Sequence, residues 1–218
     1  MKKFLTGMVV LVASGMWLPP STAVAEGKFM IKRLAERKVS ELPPGTLFWR
    51  IETFGNGVHG SGFDRYGHPV QDALARAQAA AGPWSLIAEA AGKVWLFTLG
   101  PQGGSSAEGT KIAEVGPIPR VVAKRYLLRI NEGSGAPGSI TRPHSHPGSE
   151  AFYVLAGETS SRTPHGVTRV AAGRTSTGNV ADTPMRVSSS GTSDLHSLVM
   201  FVVDADRPFS SPAKLPSH

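Results

Sequence analysis

Short apolar runs broken by glycine and proline recur along this 218-residue chain, a pattern that favours many short strands joined by turns. Residues 28–39 depart from it. Phe29, Ile31, Leu34 and Ala35 sit there among alternating charges, which predicts a short amphipathic helix ended by Leu42-Pro43-Pro44-Gly45. Residues 46–54 predict a strand. Glycines at 55, 57, 60, 62 and 67 predict a loop that carries His59 and leads to His68; a flexible loop is a poor place for preorganised ligands. Pro69 opens an alanine-rich run to residue 81 that Gly82-Pro83 stops, and this predicts a helix. Residues 85–90 and 93–100 predict two strands across an Ala91-Gly92 turn, with Trp84, Trp95, Phe97 and Leu99 supplying core. A Gly/Ser loop over 101–109 then separates residues 26–109 from the rest. Further strands are expected at 110–115, 125–131, 151–156 and 194–203, the last apolar on both faces. A hairpin at 158–162 and 167–170 turns at Thr163-Pro164-His165-Gly166, and the tail, 209–218, reads as disordered. No internal repeat is evident.

Composition changes this picture mainly at the N-terminus. Lys2-Lys3 precede an apolar run over 4–18, followed by Pro19-Pro20 and Ala23-Val24-Ala25. A basic start, a short apolar core and an A-x-A signal describe a secretory signal peptide over residues 1–25. The run falls short of the roughly 20 residues a span needs. The expectation is therefore cleavage after Ala25, a periplasmic or secreted chain from Glu26, and no stable membrane insertion afterwards. The chain has no cysteine, which excludes a disulfide, a thiolate ligand and a cysteine nucleophile. Its net charge is +7, with basic residues scattered apart from 32–38, and export disfavours a nucleic-acid partner.

The chemistry concentrates in one stretch. His144 and His146 are two apart, so on an extended strand they point to one face. Pro147-Gly148-Ser149 is turn chemistry, and Glu150 opens the apolar run that follows. If the turn reverses the chain, two imidazoles and a carboxylate converge, a donor set that suits a divalent transition metal.

Gly138, His144, His146, Glu150 and Gly157 stand at the spacing of the first cupin motif: glycine, five residues, His-x-His, three residues, Glu, six residues, glycine. The chain thus resembles the cupin superfamily over roughly residues 110–208. The resemblance implies a mostly β fold, a single-domain jelly-roll β-barrel, here with one or two short N-terminal helices packed outside. It also implies a metal inside the barrel, held by His144, His146 and Glu150. Fe or Mn is favoured, with Zn, Ni or Cu as alternatives. Cupins often dimerise through strand edges, so a homodimer is compatible with it.

The second cupin motif is not intact. Its histidine follows a proline, and after Pro184 this chain has Met185. Three readings stay open. His144, His146 and Glu150 bind metal alone, as in 2-His-1-carboxylate oxygenases, with positions open for substrate. Alternatively His196 on the 194–203 strand completes the site. Alternatively Met185 is a thioether ligand, although an inward methionine is usually packing. His165 reads as a hairpin-tip residue, and Arg186 either holds an anionic substrate or lies on the surface. The expected function is an exported metal-dependent, oxygenase-type enzyme on a small organic substrate, with a non-catalytic small-molecule binding barrel as the alternative.

Overall fold

The structure is a computed structural model and describes residues 28–55, 58–59, 63–64 and 70–216. The leader expected over residues 1–25, much of the glycine-rich loop and His68 lie outside the described residues. In chain order the elements are β1 (Met30–Val39), β2 (Phe48–Phe54), the short pair β3 (Val58–His59) and β4 (Phe63–Asp64), and helix α1 (Val70–Ala80). Then come β5 (Ser85–Ala90), β6 (Lys93–Gly100), β7 (Thr110–Val115), β8 (Tyr126–Gly135), β9 (His144–Ser145) and β10 (Gly148–Ala156). The rest are β11 (Glu158–Thr163), β12 (Gly166–Ala171), β13 (Thr175–Ser176), β14 (Arg186–Ser189), β15 (Leu195–Asp204) and β16 (Ser211–Pro212). The fold is mostly β, as the sequence predicts. Among the described residues no helix is long and apolar enough to cross a membrane.

A five-stranded antiparallel sheet, ordered β1-β8-β15-β10-β13, is the centre of the molecule. Both faces of its three central strands, β8, β15 and β10, are largely buried, and period-2 alternation sorts their side chains between them. Leu128, Ile130, Ala151, Leu198, Met200 and Val202 pack on one face against Trp49, Ile51, Trp95 and Phe97 of the four-stranded sheet β5-β6-β2-β7. Leu127, Phe152, Val199, Phe201 and Val203 point the other way, into the barrel, where Met185 and Val187 meet them. The three-stranded sheet β12-β11-β14 closes that side. Strand β6 is likewise buried on both faces, because Val94 and Leu96 pack with Ala73 and Ala77 of α1. Fully burying a side chain such as Phe97 contributes about 1.5–3 kcal/mol, which is why the bulkiest residues collect where two sheets meet.

Three expectations need correction. Residues 28–39 form no helix; β1 pairs antiparallel with β8, and its register shifts between Arg33 and Ala35. A bulge sets two residues against one partner. Leu34 and Ala35 are therefore both half-buried, and apolar residues at 31, 34 and 35 imitate helical spacing. Pairing with β8 supplies the backbone bonds, and Glu36 reaches across to Arg129 at 2.6 Å. Residues 110–115 form the expected strand, but it joins β2 in the four-stranded sheet rather than the barrel sheets. The tail is not disordered over its described part. Ser211 and Pro212 pair with Ser145 and His144, and Phe209 packs on the inner apolar cluster.

The motif glycine at 157 has a steric reason. Its φ is +70°, and a Cβ there would come 2.6 Å from the carbonyl oxygen of Asp194. Only glycine lets the chain turn from β10 into β11 so close to the start of β15.

Candidate functional site

Strand β9, the turn at Pro147 and strand β10 hold the three motif side chains at the mouth of the barrel. Glu150 shares its face of β10 with Phe152, so it points inward, and it is 3% exposed. His146 is 5% exposed. All three line a cavity of about 270 Å³ whose other walls are mostly apolar. The rings of His144 and His146 stand 5.0 Å apart, centroid to centroid, at 83°. Nε2 of His146 lies 3.7 Å from Oε2 of Glu150.

Each imidazole is fixed through its other nitrogen. His144 Nδ1 donates to the carbonyl of Arg142 at 2.8 Å, and His146 Nδ1 donates to the carbonyl of Phe209 at 2.7 Å. A ring that donates from Nδ1 keeps a lone pair on Nε2 when neutral, the form in which histidine ligates metals. His146 is also wedged between Phe201 and Phe209, with centroids at 4.9 and 4.7 Å. Burial pushes its pKa down to about 4; the Phe209 carbonyl opposes this, while His144 and Arg129 add to it. Burial pushes Glu150 up to about 8, against a hydrogen bond from Asn179. Without a bound cation, burial favours the uncharged form of each group over an ion pair. A divalent cation beside a carboxyl reverses that preference and favours the ionised form.

The donor chemistry fits a transition metal, but no closed cage is preformed. Among the described residues no three His, Cys, Asp or Glu side chains stand close enough together to hold an ion. The other candidates fall away from the site. His196 lies on the face of β15 that carries Leu198 and Met200, opposite to the barrel interior, and pairs with Glu132 at 2.5 Å. That face was not legible in a strand buried on both sides. His165 is exposed at the β11–β12 hairpin tip. Met185 is 1% exposed in the inner apolar cluster, its backbone bridged to His144. Val187, not Arg186, lines the cavity, so Arg186 does not serve a ligand there; Arg142 lies at its rim.

Two residues of the site escaped the sequence reading. Asn179 brings Nδ2 to 3.4 Å from Glu150 Oε1, 3.4 Å from Ser161 Oγ and 3.6 Å from Met185 Sδ. Phe209 supplies the carbonyl for His146, and its ring lies under the Arg129 guanidinium at 3.9 Å. Neither has a local signal. Each acquires its role only through contacts distant in sequence.

A barrel of antiparallel strands with imidazoles and a carboxyl gathered at an apolar mouth has the cupin form that the motif implies. No family model and no curated protein matches the chain. The solved structures it is similar to include cupin-superfamily and cupin-like proteins. The DMSP lyase DddQ from Ruegeria pomeroyi DSS-3 aligns at 18% identity and a TM-score of 0.36, with 42% of this chain aligned to 45% of that one. A cupin superfamily protein from Desulfitobacterium hafniense DCB-2 aligns at 16% identity and a TM-score of 0.32, over 35% of this chain and 68% of that one. The polyketide cyclase RemF from Streptomyces resistomycificus aligns at 21% identity and a TM-score of 0.34, over 41% and 62%. The chain spans less than half the length of the DMSP lyases it matches, 44% and 45%.

Proposed function

We propose that the barrel mouth is a metal-dependent site for a small organic molecule, with His144, His146 and Glu150 as the ligands of one divalent transition ion. The observation that carries this reading is the pairing of both Nδ1 atoms with backbone carbonyls, which leaves both Nε2 atoms as the ligating positions beside a buried carboxyl. Two imidazoles and one carboxylate leave coordination positions open, and that set suits Fe(II), with Mn(II) next and Zn, Ni or Cu as alternatives. An ion held there would supply Lewis-acid or redox chemistry to a molecule seated in the cavity. The chain's own part is to orient the imidazoles, exclude water with Phe201 and Phe209, and hold the Glu150 carboxyl in a site where only a neighbouring cation keeps it ionised.

Titrating the metal-free protein with Fe(II) or Mn(II) tests the ligand set. The wild type binds one equivalent, His144→Ala loses most of that binding, and His165→Ala retains it. Equal loss from both substitutions contradicts the assignment. A second reading is favoured by the missing three-donor cage and the raised Glu150 pKa. In it the barrel binds its ligand without metal, and Glu150 donates a hydrogen bond as a neutral acid. Titrations without any metal uptake, on protein that still binds small molecules, select that reading.

Export is part of the same proposal and rests on the basic, apolar and A-x-A segments of residues 1–25. Expressed with these residues, the protein is expected to leave the cytoplasm with Glu26 as its new N-terminus. Mass spectrometry of an intact cytoplasmic chain that still begins at Met1 contradicts it.

A further inference from the structure

Asn179 places one amide nitrogen among acceptors from three parts of the chain. Its Nδ2 lies 3.4 Å from Oε1 of Glu150 on β10, 3.4 Å from Oγ of Ser161 on β11 and 3.6 Å from Sδ of Met185 just before β14. An amide nitrogen has two protons to donate, so the three acceptors compete for them. With a cation beside it, the Glu150 carboxylate is the charged acceptor, and a charge-assisted bond is the strongest of the three. The position of Asn179 is fixed by its own backbone. Thr175 and Ser176 of β13 pair with Tyr153 and Phe152 of β10, and the Gly178 N–H donates to Ser176 Oγ at 3.2 Å. Gly178 then passes so close to Glu150 that a Cβ would lie 1.8 Å from its carbonyl oxygen. The loop therefore runs against the backbone of the very residue that Asn179 touches.

The two oxygens of Glu150 thus have different neighbours. Oε1 meets the Asn179 amide, whereas Oε2 lies 3.7 Å from Nε2 of His146. Two donors that each sit about 2.0–2.2 Å from one ion are about 3–4 Å from each other. Oε2 and Nε2 are therefore already spaced to share an ion.

We propose that Asn179 is a positioning residue: by holding Oε1 of Glu150 it presents Oε2 alone to the ion. This rests on the reading of His144, His146 and Glu150 as metal ligands. A carboxylate free to turn chelates through both oxygens, and the second oxygen takes a coordination position that the one-oxygen mode leaves to a small molecule. Asn179 thereby keeps that position open, although it lies behind the carboxylate rather than in the cavity.

The experiment titrates Zn(II), a redox-silent probe, into the metal-free full-length protein and follows the infrared difference spectrum. A carboxylate bound through one oxygen splits its two stretching bands more widely than a free carboxylate, and one that chelates through both splits them less. The expected wild-type result is the wide splitting, absent from Glu150→Gln, with a downfield NMR shift of the Asn179 side-chain amide protons as the ion binds. Asn179→Leu is expected to bind Zn(II) about 10–100-fold more weakly and to show the narrow splitting. A residue that only packed the loop would weaken binding without changing the splitting. Narrow splitting in the wild type, or amide protons that do not move, overturns the assignment without any need of the variant. So does Asn179→Leu with wild-type affinity, or with the wide splitting retained. In those cases an ion still binds, so the metal reading stands. Wild-type protein that takes up no Zn(II), Fe(II) or Mn(II) overturns both.

Discussion

Gly178→Ala is expected to unfold the site and take much of the fold's stability with it. Gly178 has a φ of +67°, and a Cβ added there would lie 1.8 Å from the carbonyl oxygen of Glu150 and 3.0 Å from its Cγ. Both obstacles are rigid. A left-handed conformation costs a non-glycine residue about 1–2 kcal/mol, and forcing atoms into a packed interior adds about 1–3. The neighbour that must yield is the backbone of the motif glutamate, held on β10 between β13 and β15. Asn179, next along the chain, moves with it and loses its contact with Oε1. The expected outcome is a loss of about 2–5 kcal/mol in denaturant unfolding, together with loss of metal or ligand binding. Wild-type stability in Gly178→Ala contradicts the packing described for this loop.

Ending the chain after Pro208 is expected to leave the barrel folded and to disable its mouth. The removed segment contributes a two-residue pairing to the short sheet with β9, so the central sheet and both large clusters keep their strands. What it takes away is specific to the site. His146 loses the carbonyl that fixes its tautomer, and the cavity loses Phe209 and Ser210 from its lining. Loss of a group that orients a ligand lowers metal affinity by about 10–100-fold. The far-UV circular dichroism should stay as in the full chain, and the slowly exchanging Nδ1 proton of His146 should vanish from the NMR spectrum whether or not metal is present. Unchanged metal affinity and a persistent Nδ1 signal contradict the role given to this segment.

The parts of this site that the sequence exposes are the local ones. His144, His146, the turn at Pro147 and Glu150 lie within seven residues, and strand alternation with turn chemistry is enough to bring them to one place. The β11–β12 hairpin is legible for the same reason. What stays hidden depends on partners distant in sequence. His196 is a plausible ligand until the four-stranded sheet covers the outer face of β15 and gives that strand two buried sides. The bulge in β1 imitates a helix because register shifts change period 2 into something near period 3.6. Phe209 looks like part of a short polar tail, and its order comes from His146, Phe201 and Arg129. Asn179 is a single polar residue in ordinary surroundings, and nothing local marks it.

The most direct test of the central claim is the metal content of the protein purified without chelator or histidine tag, measured beside His146→Ala. The account predicts about one equivalent of a first-row transition metal in the wild type and almost none in the variant. An empty wild type that stays empty after loading with Fe(II), Mn(II) and Zn(II) contradicts it, and would leave a barrel that binds its ligand through Glu150 and the phenylalanine walls alone.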